Sequence, residues 1–327
     1  MNSIALILPF FGRLPNYFEF FLQSVGNNPD VDLLLFTDDK TNFNYPVNVK
    51  RHYITFLEFK KEIQSSFEFD LKHLKSPYNL CDFKPAYGFA LQKYLLGYDF
   101  WGHCDCDLIF GKLRAFLTDN ILNQYDKVYA GGSLSLYRNT TKVNARFMEK
   151  CTGFLYYKDV YTASSRLILC YDEWGPGWGV NRLWNDRYPE RCYWRYEHDD
   201  VNPMFGDFRP TQNKRGECIC YHYRDDGSLV RVFINEQGRK EEEATCYVHL
   251  QKRPIKVLTQ CTHEFLVIPP GSIVAVRDLQ IQDLKKLGRR RYWYYQYFKI
   301  RWRNLKRKLG ALKDWSCIGP LGGRNEA

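Results

Sequence analysis

Two apolar runs near the start of the chain, Ile4-Ala-Leu-Ile-Leu-Pro-Phe-Phe11 and Val31-Asp-Leu-Leu-Leu-Phe-Thr37, decide the fold prediction. Short continuous apolar runs are typical of strands that are buried on both faces. Between the two runs, apolar residues recur at helical spacing and stop near a glycine at position 26: Tyr17, Phe18, Phe21, Leu22 and Val25. Strand, helix and strand in this order form a βαβ unit, so we predict an α/β fold with a Rossmann-like sheet flanked by helices.

Later patterns extend this sheet and its covering helices. Residues 98–104 predict another buried strand, and residues 128–130 and 133–137 predict a strand pair, which makes the sheet mixed. Helical patterns cover residues 56–69, 81–96, 113–122 and 144–152. Antiparallel strands are predicted within residues 216–232, 244–250 and 265–276. We therefore predict one α/β domain over residues 1–279 and a separate helical tail over residues 280–327.

The charge of the chain is concentrated in that tail. The 327 residues carry a formal net charge of +10, yet the segment from Lys285 to Lys308 holds eleven Lys and Arg and no acid. Subtracting those eleven charges from +10 leaves −1 for all other residues, so the predicted domain is close to neutral. A near-neutral body lacks the general field that binds polyanions, so we expect no nucleic-acid partner.

Cysteine usage and the first residues bear on the compartment. Eleven cysteines is an odd number, no C-x-x-C occurs, and the chain is too long for a small disulfide scaffold. The start lacks a basic segment followed by a small-residue cleavage site, and no run of about 18 apolar residues occurs. These features predict reduced thiols and a cytoplasmic location.

A pair of acidic residues follows the predicted strand over residues 98–104. Asp105-Cys106-Asp107 puts two carboxylates at i and i+2 on a turn, where one can bind a divalent ion directly and the other can bind the same ion or a ribose. Mg²⁺ and Mn²⁺ take oxygen ligands and complete their coordination with substrate phosphate oxygens. The alternative is a pair of solvated aspartates on a turn.

The combination of a βαβ start, a D-x-D near residue 105 and a later isolated histidine resembles nucleotide-sugar glycosyltransferases of the GT-A fold. More closely, several stretches resemble an uncharacterised bacterial family found in capsule and O-antigen loci: LPFFGRLPNYFEFFLQS, LLLFTDD, DFKPAYG, WGHCDCDLIFG, SLYRNTTKVN, YDEWG and YVHLQKR. The resemblance implies a hexosyltransferase-like enzyme that moves a sugar from a nucleoside-diphosphate sugar. A UDP-sugar is the expected donor. The acceptor would be a hydroxyl of a growing glycan, lipid-linked or free.

The resemblance also implies a metal site. Asp105 and Asp107 would bind the ion and the diphosphate, and His249 would complete the metal site. Imidazole suits Mn²⁺ better than Mg²⁺, so Mn²⁺ is the expected ion and Mg²⁺ the alternative. A core histidine at a strand end is the competing interpretation of His249.

Donor contacts follow from the same resemblance, each at a matched position. Residues bordering the base or ribose would be Pro9, Phe10, Phe11, Gly12 and Asp38. Residues near the phosphates would be Asp105, Lys252 and Arg253, and Lys84 would be a basic group near the nucleotide. Cationic side chains neutralise a leaving diphosphate, although Lys84 could instead be a structural cap and Lys252 and Arg253 could be solvated.

The catalytic base is the least determined residue. Asp172 and Glu173, in the YDEWG stretch, match a late acidic motif of the family and lie beside an aromatic residue that could stack on an acceptor sugar. An Asp or Glu deprotonates the acceptor hydroxyl in inverting enzymes of this kind. Asp199 and Asp200 are the competing pair.

Two other classes of function stay open. A nucleotide-sugar phosphotransferase or nucleotidyltransferase shares the βαβ start and paired aspartates, but it usually has a glycine-rich phosphate loop, which Phe10-Phe-Gly-Arg13 is not. The other is a non-catalytic protein that binds a membrane surface through its tail.

The tail has the pattern of an amphipathic helix that lies on a membrane. Its apolar residues recur every three or four positions: Tyr294, Phe298, Trp302, Leu305, Leu309 and Leu312. Basic residues fall mostly beside or opposite that stripe: Arg291, Lys299, Arg303, Lys306 and Arg307. A cationic amphipathic helix with Tyr and Trp favours the headgroup layer, so we expect peripheral association with the anionic inner leaflet through residues 285–308. A helix packed back on the domain is the alternative.

Overall fold

The structure is a computed structural model that describes residues 1–153, 155–164, 169, 171, 179–211, 216–251, 253–288, 297–302 and 305–306. Strands within these ranges are β1 Ile4–Phe10, β2 Val31–Thr37, β3 Val49–Tyr53, β4 Phe100–Cys104, β5 Leu108–Phe110, β6 Lys127–Gly131, β7 Leu134–Arg138, β8 Cys192–Tyr193, β9 Asp199–Asp200, β10 Glu217–Tyr223, β11 Leu229–Ile234, β12 Lys240–Ala244, β13 Tyr247–His249, β14 Lys256–Val257, β15 Phe265–Ile268 and β16 Ser272–Val274.

Helices cover both faces of the main sheet. The α-helices are α1 Phe18–Gly26, α2 Phe56–Gln64, α3 Tyr87–Ala90, α4 Leu113–Phe116, α5 Asp119–Gln124, α6 Thr141–Ala145, α7 Tyr157–Thr162, α8 Val180–Arg187 and α9 Ile281–Leu287. The 3₁₀ helices are Pro77–Ala86, Gln92–Tyr94, Arg146–Met148 and Pro189–Arg191.

The main sheet has seven strands in the order β3-β2-β1-β4-β7-β6-β8. β1, β2, β3 and β4 are mutually parallel, and β7 runs antiparallel to both β4 and β6. Helix α1 connects β1 to β2, as the sequence predicts. The predicted fold class, a mixed Rossmann-like sheet flanked by helices, is confirmed.

Strand β1 lies inside this sheet, between β2 and β4, and is buried on both faces, as its continuous apolar sequence predicts. Ile4, Leu6 and Leu8 belong to the core that includes α1. Ala5 and Ile7 point the opposite way, into the core beneath α2 and the Pro77–Ala86 3₁₀ helix. This alternation follows from the two-residue period of a strand. Strand β1 therefore contributes side chains to two hydrophobic cores, one on each face of the sheet.

Four predicted helices are shorter or broken in the structure, those over residues 56–69, 81–96, 113–122 and 144–152. Helix α2 ends at Gln64, whose side-chain amide donates to the Phe69 carbonyl at 2.8 Å and folds the chain back. The third divides into α4 and α5 because Thr118 caps a new helix, accepting from Ile121 N. Pro85 has no N–H to donate, and its segment is a 3₁₀ helix.

Two smaller sheets join distant parts of the chain to the main one. The first has three strands in the order β5-β13-β9, with β13 antiparallel to β5 and parallel to β9. The second has six strands in the order β12-β11-β10-β15-β16-β14. The three-stranded sheet matters most for function because β5 directly follows the predicted acidic turn.

The predicted tail begins with a helix that packs on the six-stranded sheet. Leu284 of α9 is fully buried and shares a core with Val230 and Leu266. The division at residue 279 stays a prediction, although α9 packs on the six-stranded sheet through Leu284. Residues 297–302 are helical and expose Phe298 and Trp302. Within the described ranges, each helix is too short or too polar to cross a membrane.

Candidate metal centre

The acidic turn Asp105–Asp107 connects β4 to β5 at the carboxyl edge of the parallel strands. Its main chain is fixed on both sides: Asp105 N donates to Ser133 O at 3.0 Å, and Asp107 O accepts from Leu250 N at 3.0 Å. Both carboxylates are half-buried, while Cys106 between them is buried. The turn therefore presents two carboxylates directly after a buried strand, as the sequence predicts, from a main chain that is hydrogen-bonded on both sides.

The three-stranded sheet brings His249 to this turn. His249 ends β13 and lies opposite Leu108, the first residue of β5. Its Nε2 atom is 3.2 Å from Asp107 Oδ1. Asp105, Asp107 and His249 each offer a ligand atom, and these three atoms lie within 4.8 Å of one another. Two carboxylate oxygens and one imidazole nitrogen form a donor set that could hold a divalent metal ion, so the grouping predicted from the sequence is present.

The electrostatics of this cluster favour positive charge. Burial of the imidazole opposes its charged form, but the carboxylates of Asp107 and Asp200 outweigh burial and raise the pKa of His249 to about 10. Burial together with the charge of Asp107 also raises the pKa of the Tyr17 hydroxyl. A site that stabilises a protonated imidazole between carboxylates also attracts a divalent cation.

Lys84 enters the site from the Pro77–Ala86 3₁₀ helix. Its buried Nζ donates to Asp105 Oδ1 at 2.8 Å and to Gly132 O at 2.6 Å. The lysine therefore links the acidic turn to the loop between β6 and β7. This ion pair was not foreseen from the sequence, which placed Lys84 near a nucleotide without a partner.

The predicted base-binding loop follows β1 at the same edge of the sheet. Gly12, with φ of +94°, donates its N–H to Asp38 Oδ1 at 2.7 Å, and both residues are exposed. Pro9 and Phe10 are partly buried, and the Phe11 ring packs against the aromatic rings of α2. Gly12 and Asp38 are thus open at the carboxyl edge, whereas Phe11 is turned into the core. Donor binding by this loop stays a prediction.

Arg253 has contacts that differ from those of an open phosphate clamp. Its buried guanidinium donates to the carbonyls of Pro270, Asn202, Phe205 and Asp207 at 2.6–3.1 Å. These hydrogen bonds connect residues 202–207 to the turn at Pro270. The sequence analysis does not predict this structural role. Its role toward a diphosphate stays a prediction.

Three predicted site residues lie outside the described ranges: Asp172, Glu173 and Lys252. Of the competing acidic pair, Asp199 is fully buried with its Oδ2 at 3.8 Å from Arg231 Nε. Asp200 contacts His249 Nδ1 at 2.8 Å. The structure thus gives each member of the competing pair a protein partner.

The fold and the site together define an α/β protein with an Asp–Asp–His cluster, suited to a divalent metal, at the carboxyl edge of its main sheet. The chain belongs to a family of unknown function, DUF6625, whose model matches residues 6–276. A comparison with curated proteins finds no match.

Among solved structures, the chain is similar to mouse xyloside xylosyltransferase 1 in its apo form, with 8% identity over 62% of this chain and 88% of that chain and a TM-score of 0.35. It is also similar to a mycobacterial protein, with 12% identity over 77% of this chain and 86% of that chain and a TM-score of 0.28. At these scores the two likenesses carry no conclusion about activity.

Proposed function

We propose that this protein is a metal-dependent glycosyltransferase that moves a sugar from a nucleoside-diphosphate sugar, UDP-sugars first, to a hydroxyl of a growing surface glycan of the capsule or O-antigen type. The observation that carries the proposal is the convergence of Asp105, Asp107 and His249 within 4.8 Å. These residues lie at the carboxyl edge of parallel strands, where α/β folds bind nucleotides.

The chain's own residues would divide the work as follows. Asp105, Asp107 and His249 would hold Mn²⁺, or Mg²⁺, which when bound supplies positive charge to the leaving diphosphate. Lys84, already hydrogen-bonded to Asp105, adds a fixed cation beside the same phosphates. Gly12 and Asp38, exposed at the neighbouring strand ends, would orient the nucleoside. Asp172 or Glu173 would accept the proton of the acceptor hydroxyl.

The test is a panel of UDP- and GDP-sugars incubated with the full chain and Mn²⁺, with and without excess EDTA. Without an acceptor, water replaces the hydroxyl, so we expect Mn²⁺-dependent release of nucleoside diphosphate and free sugar. Release of nucleoside monophosphate and sugar phosphate would contradict the proposal in favour of pyrophosphate cleavage. Unchanged turnover in EDTA would exclude a metal-dependent reaction.

We further propose that the basic tail holds the enzyme on the anionic inner leaflet, near a lipid-linked acceptor. Phe298, Trp302 and Leu305 recur at i, i+4 and i+7, and their exposed fractions are 48%, 59% and 47%. Lys299 and Lys306 are exposed in the same segment. Each basic residue near an anionic surface contributes about 1 kcal/mol, so eleven within residues 285–308 supply ample affinity even when half are badly placed.

Removing residues 289–327 should therefore abolish sedimentation with phosphatidylserine vesicles while preserving donor hydrolysis. The cut follows Gly288 because Leu284 of α9 is buried in the body and must stay. Neutral phosphatidylcholine vesicles provide the lipid control, and added salt should release the full chain because exposed charges are screened. Equal sedimentation of the truncated protein would contradict this proposal and leave the transferase proposal intact.

A further inference from the structure

We propose that Asp200 is a positioning residue of the metal centre: it accepts a hydrogen bond from His249 Nδ1 and thereby aims His249 Nε2 at the ion-binding carboxylates. This inference rests on the proposed metal site.

The register of the three-stranded sheet makes the contact. Strands β9 and β13 are parallel, with Asp200 opposite His249 and Asp199 opposite Val248. Because successive side chains of a strand point to opposite faces, Asp199 and Asp200 have different surroundings. Asp199 is fully buried near Arg231, whereas Asp200 is partly exposed and lies beside the imidazole. The sheet therefore delivers one carboxylate of the pair to the site.

The two nitrogens of His249 have different carboxylate partners. Nδ1 lies 2.8 Å from Asp200 Oδ1, and Nε2 lies 3.2 Å from Asp107 Oδ1. A carboxylate can only accept, so Nδ1 carries the proton that it donates to Asp200. Nε2 likewise faces the Asp107 carboxylate, so an ion that takes Nε2 would displace the proton there, while Nδ1 keeps the proton that it donates to Asp200. A carboxylate behind a ligating histidine fixes the tautomer and the ring plane in this way.

Asp200 is itself held in place, which a positioning residue requires. Gln251 Nε2 donates to Asp200 Oδ1, and Thr211 Oγ1 donates to Oδ2 at 3.0 Å. The backbone of Thr211 also donates to Asp200 O at 2.7 Å. Both carboxylate oxygens therefore have donors before any ion arrives. These contacts favour a positioning role for Asp200 over the catalytic-base role considered from the sequence.

The test measures Mn²⁺ affinity of the full chain by electron paramagnetic resonance titration, without donor sugar. Asp200→Ala should bind Mn²⁺ about 10- to 100-fold more weakly than the wild type, the usual cost of losing such a partner. Asp200→Asn, nearly identical in shape, keeps an oxygen that accepts from Nδ1 and should recover most of the affinity. Metal-free thermal melting of each variant separates a loss of fold from a loss of orientation.

A matched control is present in the six-stranded sheet. His222 Nε2 lies 3.0 Å from Glu264 Oε1, so Glu264→Ala also removes a carboxylate from a histidine, at a site outside the Asp–Asp–His cluster. This variant should bind Mn²⁺ as the wild type does. Wild-type affinity in Asp200→Ala would overturn the inference and leave the proposed function standing. Absence of Mn²⁺ binding by the wild type would overturn both.

Discussion

Asp107→Ala should abolish metal-dependent donor turnover, with a loss of at least about 100-fold, or about 3 kcal/mol of transition-state stabilisation. Asp107 is the carboxylate closest to His249 Nε2, so its removal takes one ligand and leaves the imidazole with Asp200 alone. Turnover of a UDP-sugar at saturating Mn²⁺ is the measurement. We expect the loss in kcat and in Mn²⁺ affinity together.

The fold should survive this substitution because the turn is held by its main chain. Asp107 O accepts from Leu250 N and Asp105 N donates to Ser133 O, and alanine at position 107 preserves both bonds. Asp105→Ala is a poorer test, since it also strips the buried Lys84 ammonium of its carboxylate partner. Asp226→Ala, which removes an exposed carboxylate paired with Lys112, is the matched control. A folded Asp107→Ala protein with undiminished turnover would exclude this metal site.

Local sequence patterns predicted the centre of the fold. The apolar runs of β1 and β2 are short and continuous, which is typical of strands buried on both faces, and both runs are strands in the structure. The D-x-D was predicted to follow a buried strand, and it follows β4 in the structure. Both features depend on residues that are close together in the sequence, so one sequence is enough to predict them.

The contacts that the site residues make with distant parts of the chain depend on tertiary structure and could not be predicted from local patterns. Asp200 and His249 become neighbours only through the parallel pairing of β9 with β13, and β9 has two residues with no strand signature. Lys84 reaches Asp105 from a 3₁₀ helix that the sequence pattern assigned to a longer α-helix. Short elements have too few residues for a periodic pattern to appear. Asp200 on β9 and Lys84 on the 3₁₀ helix both lie on such elements, so their contacts with the site were not predicted.

Asp126→Asn should lower the free energy of unfolding by about 3–5 kcal/mol, because it leaves three arginines without their shared carboxylate. Asp126 is 4% exposed, and its two oxygens accept from Arg138, Arg146 and Arg191 at 2.6–3.1 Å. Arg146 is nearly as buried, and its guanidinium stacks on the Tyr188 ring at 3.9 Å. Urea unfolding of wild type and variant at neutral pH measures the difference.

The pH dependence of this difference identifies the ion pairs as its cause. Burial opposes the charge of Asp126, but the hydrogen bonds and charges of the arginines prevail and lower its pKa in the folded protein. A lowered folded-state pKa adds stability above the unfolded value of about 3.9, and that stability is lost as the pH falls through the folded value. The gap between wild type and Asp126→Asn should thus be constant from about pH 5 to 8 and shrink below about pH 4.

The Asp126 variant should change stability without changing metal binding, because Asp126 is distant from the metal centre along β6. Asp126 precedes β6, whereas Gly132, whose carbonyl accepts a hydrogen bond from Lys84 of the site, follows it. Because these positions lie at opposite ends of β6, Asp126→Asn should bind Mn²⁺ as the wild type does at temperatures where it is folded. Asp186→Asn is the matched control: its pair with Arg182 is exposed, and such pairs contribute at most about 1 kcal/mol. Unfolding of Asp126→Asn at the same urea concentration as Asp186→Asn would contradict the prediction. It would mean that solvent stabilises the three arginines as well as the Asp126 carboxylate does.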